Sequence, residues 1–149
     1  YVSLDEGLKL ADVIVCAMNL TAQNNAYFRY EVLSRSAGKP VFINVARGEF
    51  CPVTDMLRLL DEGRLSGIGL DVYPDEKELA VQLRRSGLAG VSGQKLAGIG
   101  ELRDRPNVIM TPHNAFNTEE AVERKSLQSV EQVEHFLRKG KFKWPVPLA

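Results

Sequence analysis

Short apolar runs recur along the chain, and polar or turn-forming residues separate them. A continuous apolar run of about four to eight residues is typical of a strand that is buried in a parallel sheet. The pattern predicts such strands over residues 13–17, 41–45, 65–72 and 107–110. The first of these strands directly follows Asp12, and we expect both of its faces to be buried.

Capping and amphipathic signals predict helices between the strands. Ser3 and Glu6 have the spacing of a capping box, which predicts a helix that reaches Leu10. Pro52 can occupy a first helical turn, and Gly63 is a good C-terminal stop for the same helix. The apolar stripe of that helix consists of Met56, Leu57, Leu59 and Leu60.

The remaining segments predict two further helices and an irregular stretch. After a polar loop at residues 19–25, residues 27–33 have the length of a short helix. Residues 118–139 predict a long helix that Gly140 closes, followed by an extended tail. Residues 77–105 predict a mixture of helix, loop and mobile excursion. Their glycines are Gly87, Gly90, Gly93, Gly98 and Gly100.

The alternation of strands and helices predicts the α/β class. Parallel strands are then joined by crossover helices. Sheets of this kind bind ligands beyond the carboxyl ends of their strands. The residues that follow Val45, Val72 and Met110 are therefore the places where we expect a functional site.

Composition and charge exclude several classes of function. The chain has 149 residues, no formal net charge and 44% hydrophobic residues, which is typical of one soluble globular domain. We expect no nucleic-acid partner, because no basic excess is present to neutralise phosphates. We expect no membrane partner, because no apolar run approaches the roughly 20 residues that a spanning helix needs.

The two cysteines predict neither a disulfide nor a metal site. Cys16 and Cys51 lie far apart in the sequence, and their spacing is not that of metal ligands. Reduced thiols are typical of a cytoplasmic protein, which is the location we expect.

Three ionisable residues follow the ends of predicted strands: Arg47, Glu76 and His113. An arginine guanidinium can bind a carboxylate with two parallel hydrogen bonds. A histidine can transfer a proton near neutral pH, and a neighbouring carboxylate favours its charged form and fixes its tautomer. Together the three side chains suit the reduction of a 2-oxo acid, with a cofactor supplying the hydride.

Each of the three residues also has a purely structural interpretation. An isolated arginine after a strand most often forms a surface ion pair. A histidine beside a proline turn is most often structural or simply exposed, and Glu76 alone is unremarkable among Asp71, Asp75 and Glu78. Their joint placement at three successive strand ends favours a functional site.

Five segments of the chain carry a family resemblance. They read ADVIV at residues 11–15, LT at 20–21, INVARG at 43–48, GIGLDVY at 67–73 and NVIMTPH at 107–113. In this order they resemble the NAD-dependent D-2-hydroxyacid dehydrogenases. The continuation NAFNTEEAV at residues 114–122 is similar to the D-lactate dehydrogenase branch of that family.

The resemblance implies a Rossmann-type sheet with flanking helices and a role for each candidate residue. Arg47 would bind the carboxylate of a 2-oxo or 2-hydroxy acid, His113 would act as acid and base, and Glu76 would orient His113. The implied cofactor is NAD. Its implied contacts on the nicotinamide side are Ala17, Met18, Asn19, Val45, Ala46 and Asp71.

The chain also departs from the family pattern. No G-x-G-x-x-G follows a strand and opens a helix, because the pair Gly67 and Gly69 lacks the third glycine. We therefore expect the carboxyl-terminal part of an enzyme that is a homodimer when complete. Residues 1–117 would complete the nucleotide-binding domain, and residues 118–149 would supply a helix and tail that pack on an upstream substrate domain.

Two other interpretations stay open at the level of the sequence. Co-repressors related to C-terminal binding protein use the same fold as an NADH-responsive scaffold, and they carry a tryptophan shortly after the Thr-Pro-His block. This chain has Phe116 there, which favours the lactate-like branch. Alternatively, the chain is inactive by itself and has an open sheet edge, which promotes self-association.

Overall fold

A computed structural model describes residues 1–86 and 97–145 of the chain. The strands are β1 Val13–Cys16, β2 Val41–Asn44, β3 Gly67–Leu70 and β4 Val108–Met110. The helices are α1 Leu4–Leu10, α2 Tyr30–Leu33, α3 Val53–Asp61, α4 Glu76–Ser86, α5 Ala97–Arg103 and α6 Glu119–Lys139, and Gly48–Phe50 forms a 3₁₀ turn.

The four strands form one parallel sheet in the order β1-β2-β3-β4. Each strand is followed by helix before the next strand begins, as the alternating pattern predicts. The α/β class and the Rossmann-type sheet are therefore confirmed. Because all strands run in the same direction, their carboxyl ends lie along one edge of the sheet.

The core lies on one face of the sheet. Phe42, Ile68 and Leu70 point to that face and are buried against Leu33, Met56, Leu59 and other apolar side chains of the helices. The opposite face carries a row that runs across the register from Val15 through Ile43 to Gly69 and Ile109.

The prediction that β1 is buried on both faces is wrong. Val13 and Val15 are 54% and 55% exposed, whereas Cys16 is completely buried. Successive side chains of a strand point to opposite faces. The core therefore covers only one face of β1, which is a terminal strand of the described sheet.

The helix signals are confirmed at α1 and α3. The Ser3 hydroxyl accepts a hydrogen bond from the Glu6 N–H, and the Glu6 carboxylate accepts one from the Ser3 N–H, so the capping box is complete. After α3 the chain reverses at Gly63, which has a φ of +62°. Glycine adopts this conformation without the steric cost of a side chain.

The helix predicted over residues 27–33 is wrong at its start, since α2 begins at Tyr30. Instead of donating within a helix, the Ala26 and Phe28 N–H groups donate to the carbonyls of Glu49 and Phe50 at 2.8 and 2.9 Å. These residues therefore pair with the turn after β2, an interaction that local sequence does not encode.

The irregular stretch contains two helices, α4 and α5. Gly98 lets α5 approach α3 closely, because a Cβ atom at this position would lie 2.6 Å from Val53 Cγ1. The predicted mobile excursion falls on residues 87–96, outside the described residues, and stays a prediction.

Residues Asn114–Ala149 form a compact unit separate from the unit Tyr1–His113. The Thr118 hydroxyl caps α6 by accepting from the Ala121 N–H, and Gly140 ends the helix with a φ of +69°. The tail turns back toward its helix, because the Gln132 amide oxygen accepts hydrogen bonds from the N–H groups of Lys143 and Trp144. The predicted boundary between residues 117 and 118 stays a prediction.

Within the described part of the chain, none of the helices has the length and apolar character needed to cross a bilayer.

Candidate active site

The loop after β2 is shaped by a buried amide. Asn44 is the last residue of β2 and is completely buried. Its Oδ1 accepts a hydrogen bond from the Ala46 N–H at 3.0 Å, and its Nδ2 donates to the Arg47 carbonyl at 2.8 Å and to Cys51 Sγ at 3.1 Å. Asn44 thereby fixes the backbone of the turn that presents the exposed Arg47 side chain.

This loop touches the loop that follows β3. A Cβ atom on Gly48 would lie 1.9 Å from the carbonyl carbon of Tyr73 and 2.2 Å from the nitrogen of Pro74. Only glycine fits at this point, because both neighbours are backbone atoms that cannot rotate away. The close approach sets the distance between the two segments that carry Arg47 and Glu76.

Tyr73 connects the ends of β3 and β4. Its hydroxyl lies 2.7 Å from the carbonyl oxygen of Thr111 and 3.2 Å from that of Leu70, and its backbone N–H donates to Glu76 Oε1 at 3.0 Å. Burial is the main cause that raises the pKa of Tyr73 to about 12, and the nearby Asp71 carboxylate adds to it. The hydroxyl therefore remains a hydrogen-bond donor throughout the neutral range.

Glu76 and His113 are directly paired. His113 Nδ1 lies 2.8 Å from Glu76 Oε2, and both side chains are about one-third exposed. His113 has a φ of +53°, a conformation that is uncommon outside glycine, and its N–H donates to the Thr111 carbonyl at 3.1 Å. Since an ionised carboxylate can only accept, the Nδ1 proton belongs to this bond, and Nε2 is the ring nitrogen on the other side from Glu76.

Arg47, Glu76 and His113 line one open cleft of about 430 Å³. The three residues predicted to act together are thus brought to the same cavity at the carboxyl edge of the sheet. The other residues of its wall are Gly48, Glu49, Tyr73, Asp75, Lys77 and Glu78. The cleft combines a guanidinium, a paired imidazole and several carboxylates, which suits proton transfer to a bound anion.

A second cleft of about 600 Å³ lies beyond the ends of β1 and β2. It is lined by Ala17, Met18, Asn19, Leu20, Val45, Ala46 and Arg47. Five of the six predicted cofactor contacts therefore share one cavity, and Leu20 joins them. Arg47 lines both clefts, so the two cavities adjoin at this residue.

Asp71, the sixth predicted cofactor contact, lies elsewhere. This residue is 4% exposed, and its Oδ1 accepts a hydrogen bond from the Thr111 hydroxyl at 2.5 Å. It joins the ends of β3 and β4 and is not part of the wall of the second cleft. Its contact with a cofactor stays a prediction.

Sequence reasoning missed Asn44 and Tyr73. Both lie inside the motifs that carry the resemblance, but neither is charged at neutral pH, so neither stands out beside the charged residues of those motifs. An asparagine at the end of an apolar run is a usable signal, because a buried amide needs hydrogen-bond partners.

Cys51 has no activated character. It is 3% exposed, and burial is the main cause that raises the pKa of its thiol to about 12. Among the described residues, no cluster of three histidine, cysteine or acidic side chains is placed to hold a metal ion.

Sequence comparison relates the chain to a family of dehydrogenases. The sequence profile of the family described as "D-isomer specific 2-hydroxyacid dehydrogenase, NAD binding domain" matches residues 1–115. D-lactate dehydrogenase of Streptococcus agalactiae serotype III is 32% identical over 122 residues, which are 80% of this chain and 35% of that protein. D-2-hydroxyacid dehydrogenase (NAD+) of Lacticaseibacillus paracasei is 32% identical over 140 residues, or 94% of this chain and 40% of that protein.

Solved structures give the same relation. D-2-hydroxyisocaproate dehydrogenase superposes with a TM-score of 0.86 at 32% identity, over 98% of this chain and 43% of its own length. D-lactate dehydrogenase from Aquifex aeolicus, crystallised with NAD and lactic acid, superposes with a TM-score of 0.77 at 33% identity, over 98% of this chain and 45% of that one. The chain thus spans less than half the length of the proteins it matches.

Proposed function

The chain belongs to the D-isomer specific 2-hydroxyacid dehydrogenase family, and we propose on this premise that the complete protein reduces a 2-oxo acid to the D-2-hydroxy acid with NADH. The pair formed by His113 and Glu76 carries the proposal, because a carboxylate bonded to Nδ1 at 2.8 Å equips the imidazole for proton transfer at Nε2. A cytoplasmic homodimer is part of the same proposal.

The three side chains of the first cleft have complementary tasks. The Arg47 guanidinium binds the substrate carboxylate and orients the neighbouring carbonyl toward His113. In its protonated form, His113 donates its Nε2 proton to the carbonyl oxygen as that oxygen gains negative charge. The neutral ring that remains carries its proton on Nδ1, which donates a hydrogen bond to Glu76. In the reverse direction, His113 takes the proton from the hydroxyl.

The second cleft fits the cofactor of the family. When bound, NADH supplies the hydride that reduces the carbonyl carbon. Its nicotinamide side would be held by Ala17, Met18, Asn19, Val45 and Ala46. The cleft that these residues line adjoins Arg47. This adjacency supports the assignment, because the hydride donor and the bound carboxylate must lie next to each other.

The proposal predicts the effect of replacing the histidine. His113→Asn removes the proton donor, and asparagine tolerates a positive φ, so the loop keeps its shape. We expect kcat for 2-oxo acid reduction to fall by roughly 10²–10⁴-fold. The measurement is NADH absorbance with the complete protein and a panel of 2-oxo acids that includes pyruvate.

His135→Asn is the matched control, because His135 is the other histidine of the chain and lies on α6. We expect it to leave kcat unchanged. A fully active His113→Asn enzyme contradicts the acid and base assignment. A wild-type protein with no activity on any 2-oxo acid contradicts the proposed reaction.

A further inference from the structure

We propose that Tyr73 is a positioning residue, whose hydroxyl holds the Thr111 carbonyl and thereby fixes the hydrogen bond between His113 and Glu76. The proposal rests on the proposed function, in which this pair transfers the proton. Tyr73 itself exchanges no proton with the substrate.

The contacts of Tyr73 reach both partners of the pair. Its backbone N–H donates to Glu76 Oε1 at 3.0 Å and leaves Oε2 to face His113. Its hydroxyl reaches the carbonyl oxygen of Thr111 at 2.7 Å, across the sheet at the end of β4. One residue therefore restrains the carboxylate from one side and the histidine loop from the other.

The Thr111 carbonyl connects the tyrosine to the histidine. The same oxygen accepts the His113 N–H at 3.1 Å, and this bond closes the tight turn in which His113 has a φ of +53°. A positive φ at a residue other than glycine costs free energy and persists only where its surroundings impose it. The Tyr73 hydroxyl fixes the acceptor on which this turn depends.

The hydroxyl is suited to holding and not to proton exchange. Burial raises the pKa of Tyr73 to about 12, so the proton stays on the oxygen at neutral pH. The proton is shared with backbone carbonyls, those of Thr111 and Leu70. The hydroxyl is therefore bonded to uncharged backbone groups, whereas the charged or titratable side chains that line the cleft are Arg47, Glu49, Asp75, Glu76, Lys77, Glu78 and His113.

Tyr73→Phe tests the proposal, because it removes the hydroxyl and keeps both the ring and the backbone N–H. The first measurement is the tautomer of neutral His113, read from long-range ¹H–¹⁵N spectra of the complete protein. In the wild type we expect the Nδ1–H form, which Glu76 accepts. In the variant we expect a shift of population toward Nε2–H. His135 is the one other histidine in the chain, and it serves as internal reference.

The second measurement is the kinetics of 2-oxo acid reduction. Misplacing a catalytic group by about 1 Å costs up to roughly 10²-fold in rate. We expect Tyr73→Phe to lower kcat roughly tenfold or more, with a KM for the 2-oxo acid within about twofold of wild type, because Arg47 still binds the carboxylate. In a Glu76→Gln background the tyrosine replacement should have little further effect, since the pair it positions is already broken.

Tyr30→Phe is the matched control, since it also removes a tyrosine hydroxyl that is bonded to a residue distant in the sequence, here Glu62, and neither residue lines the first cleft. It should change neither the tautomer nor kcat. If Tyr73→Phe lowers only the melting temperature and leaves the tautomer and kcat as in wild type, Tyr73 is merely structural and the proposal is overturned.

The two proposals fail in different ways. If His113→Asn is fully active, the proposed function fails, yet the tautomer of His113 still reports whether Tyr73 positions it. If His113→Asn is inactive and Tyr73→Phe behaves as wild type, the function stands and the positioning role is overturned.

Discussion

A few neutral side chains do as much to shape the site as the charged ones that line it. Asn44 is the main example, because its amide bonds the backbone of Ala46 and Arg47 from a fully buried position. A buried polar group that loses its partner costs about 1–3 kcal/mol. The turn that presents Arg47 therefore depends on a side chain that is in the wall of neither cleft.

Replacing this amide should destabilise the protein and loosen the turn. Asn44→Ala leaves the Ala46 N–H and the Arg47 carbonyl without their side-chain partner, and we expect a loss of about 1–3 kcal/mol in the free energy of unfolding. Urea unfolding of the complete protein measures it. Asn107→Ala is the matched control, because that exposed amide bonds only the Ser66 carbonyl and water can replace it. Equal losses in the two variants would contradict the argument.

The ionisable residues of the site could be predicted from sequence, whereas the neutral residues that hold their loops in place could not. Arg47, Glu76 and His113 follow apolar runs, and parallel topology brings such positions together without knowledge of any contact. The partners of Asn44 and Tyr73 depend on the path of each loop in space. That path follows from tertiary contacts, which a single sequence does not display.

At the scale of elements, the loops after β2 and β3 can pack closely together because Gly48 has no side chain. Gly48 has an ordinary φ, so its role is space and not backbone freedom: the Tyr73 backbone occupies the volume of a Cβ atom. The close contact between the two loops therefore depends on this position having no side chain.

Gly48→Ala should therefore be strongly destabilising. Its Cβ would lie 1.9 Å from backbone, and overpacking of this kind typically costs about 1–3 kcal/mol or more. Gly100→Ala is the control, because nothing lies within 4 Å of a Cβ there and α5 gains about 0.5–1 kcal/mol from helix propensity. Thermal unfolding of both variants checks the opposite signs. A Gly48→Ala protein as stable as wild type would show that the loops separate at little cost.

Sequence patterns predicted where the strands and helices lie, but they predicted less well where each element ends and which of its side chains are exposed. The apolar runs predicted all four strands, but β3 is shorter than its run, and β1 leaves Val13 and Val15 about half exposed. Periodicity records which residues are apolar and not what covers them. Similarly, residues 27–29 lie within the predicted helix and yet precede α2, and the Phe28 N–H donates to the Phe50 carbonyl.

For the whole molecule, a buried thiol and a partly buried phenol make the free energy of unfolding decrease at alkaline pH. Cys51 and Tyr73 both have a pKa raised to about 12 in the folded chain, mainly by burial. Unfolded thiols and phenols ionise near about 8.5 and 10. The unfolded chain therefore releases these protons first as the pH rises, and the folded state loses stability between roughly pH 9 and 12.

This loss should become smaller when Cys51 is removed. Below about pH 8 the contribution of the thiol is fully present, and above that pH it decreases by up to about 1.4 kcal/mol per pH unit. We expect Cys51→Ala to flatten the decline of unfolding free energy, measured by urea unfolding from pH 8 to 11. An exposed group with the same pKa in the folded and unfolded chain would not make the unfolding free energy depend on pH. The same decline in Cys51→Ala and wild type would contradict the role of the buried thiol.

The left-handed backbone at His113 also constrains how this position can change over evolutionary time. If His113 transfers protons as proposed, a descendant without this activity would lose the demand for an imidazole and keep the demand for a residue that adopts a φ of +53°. Asparagine, aspartate and glycine meet that demand, whereas valine and isoleucine do not. Chains of this lineage that have lost catalysis should therefore carry a narrow set of replacements at this position, and a β-branched residue there would mark a loop that has been rebuilt.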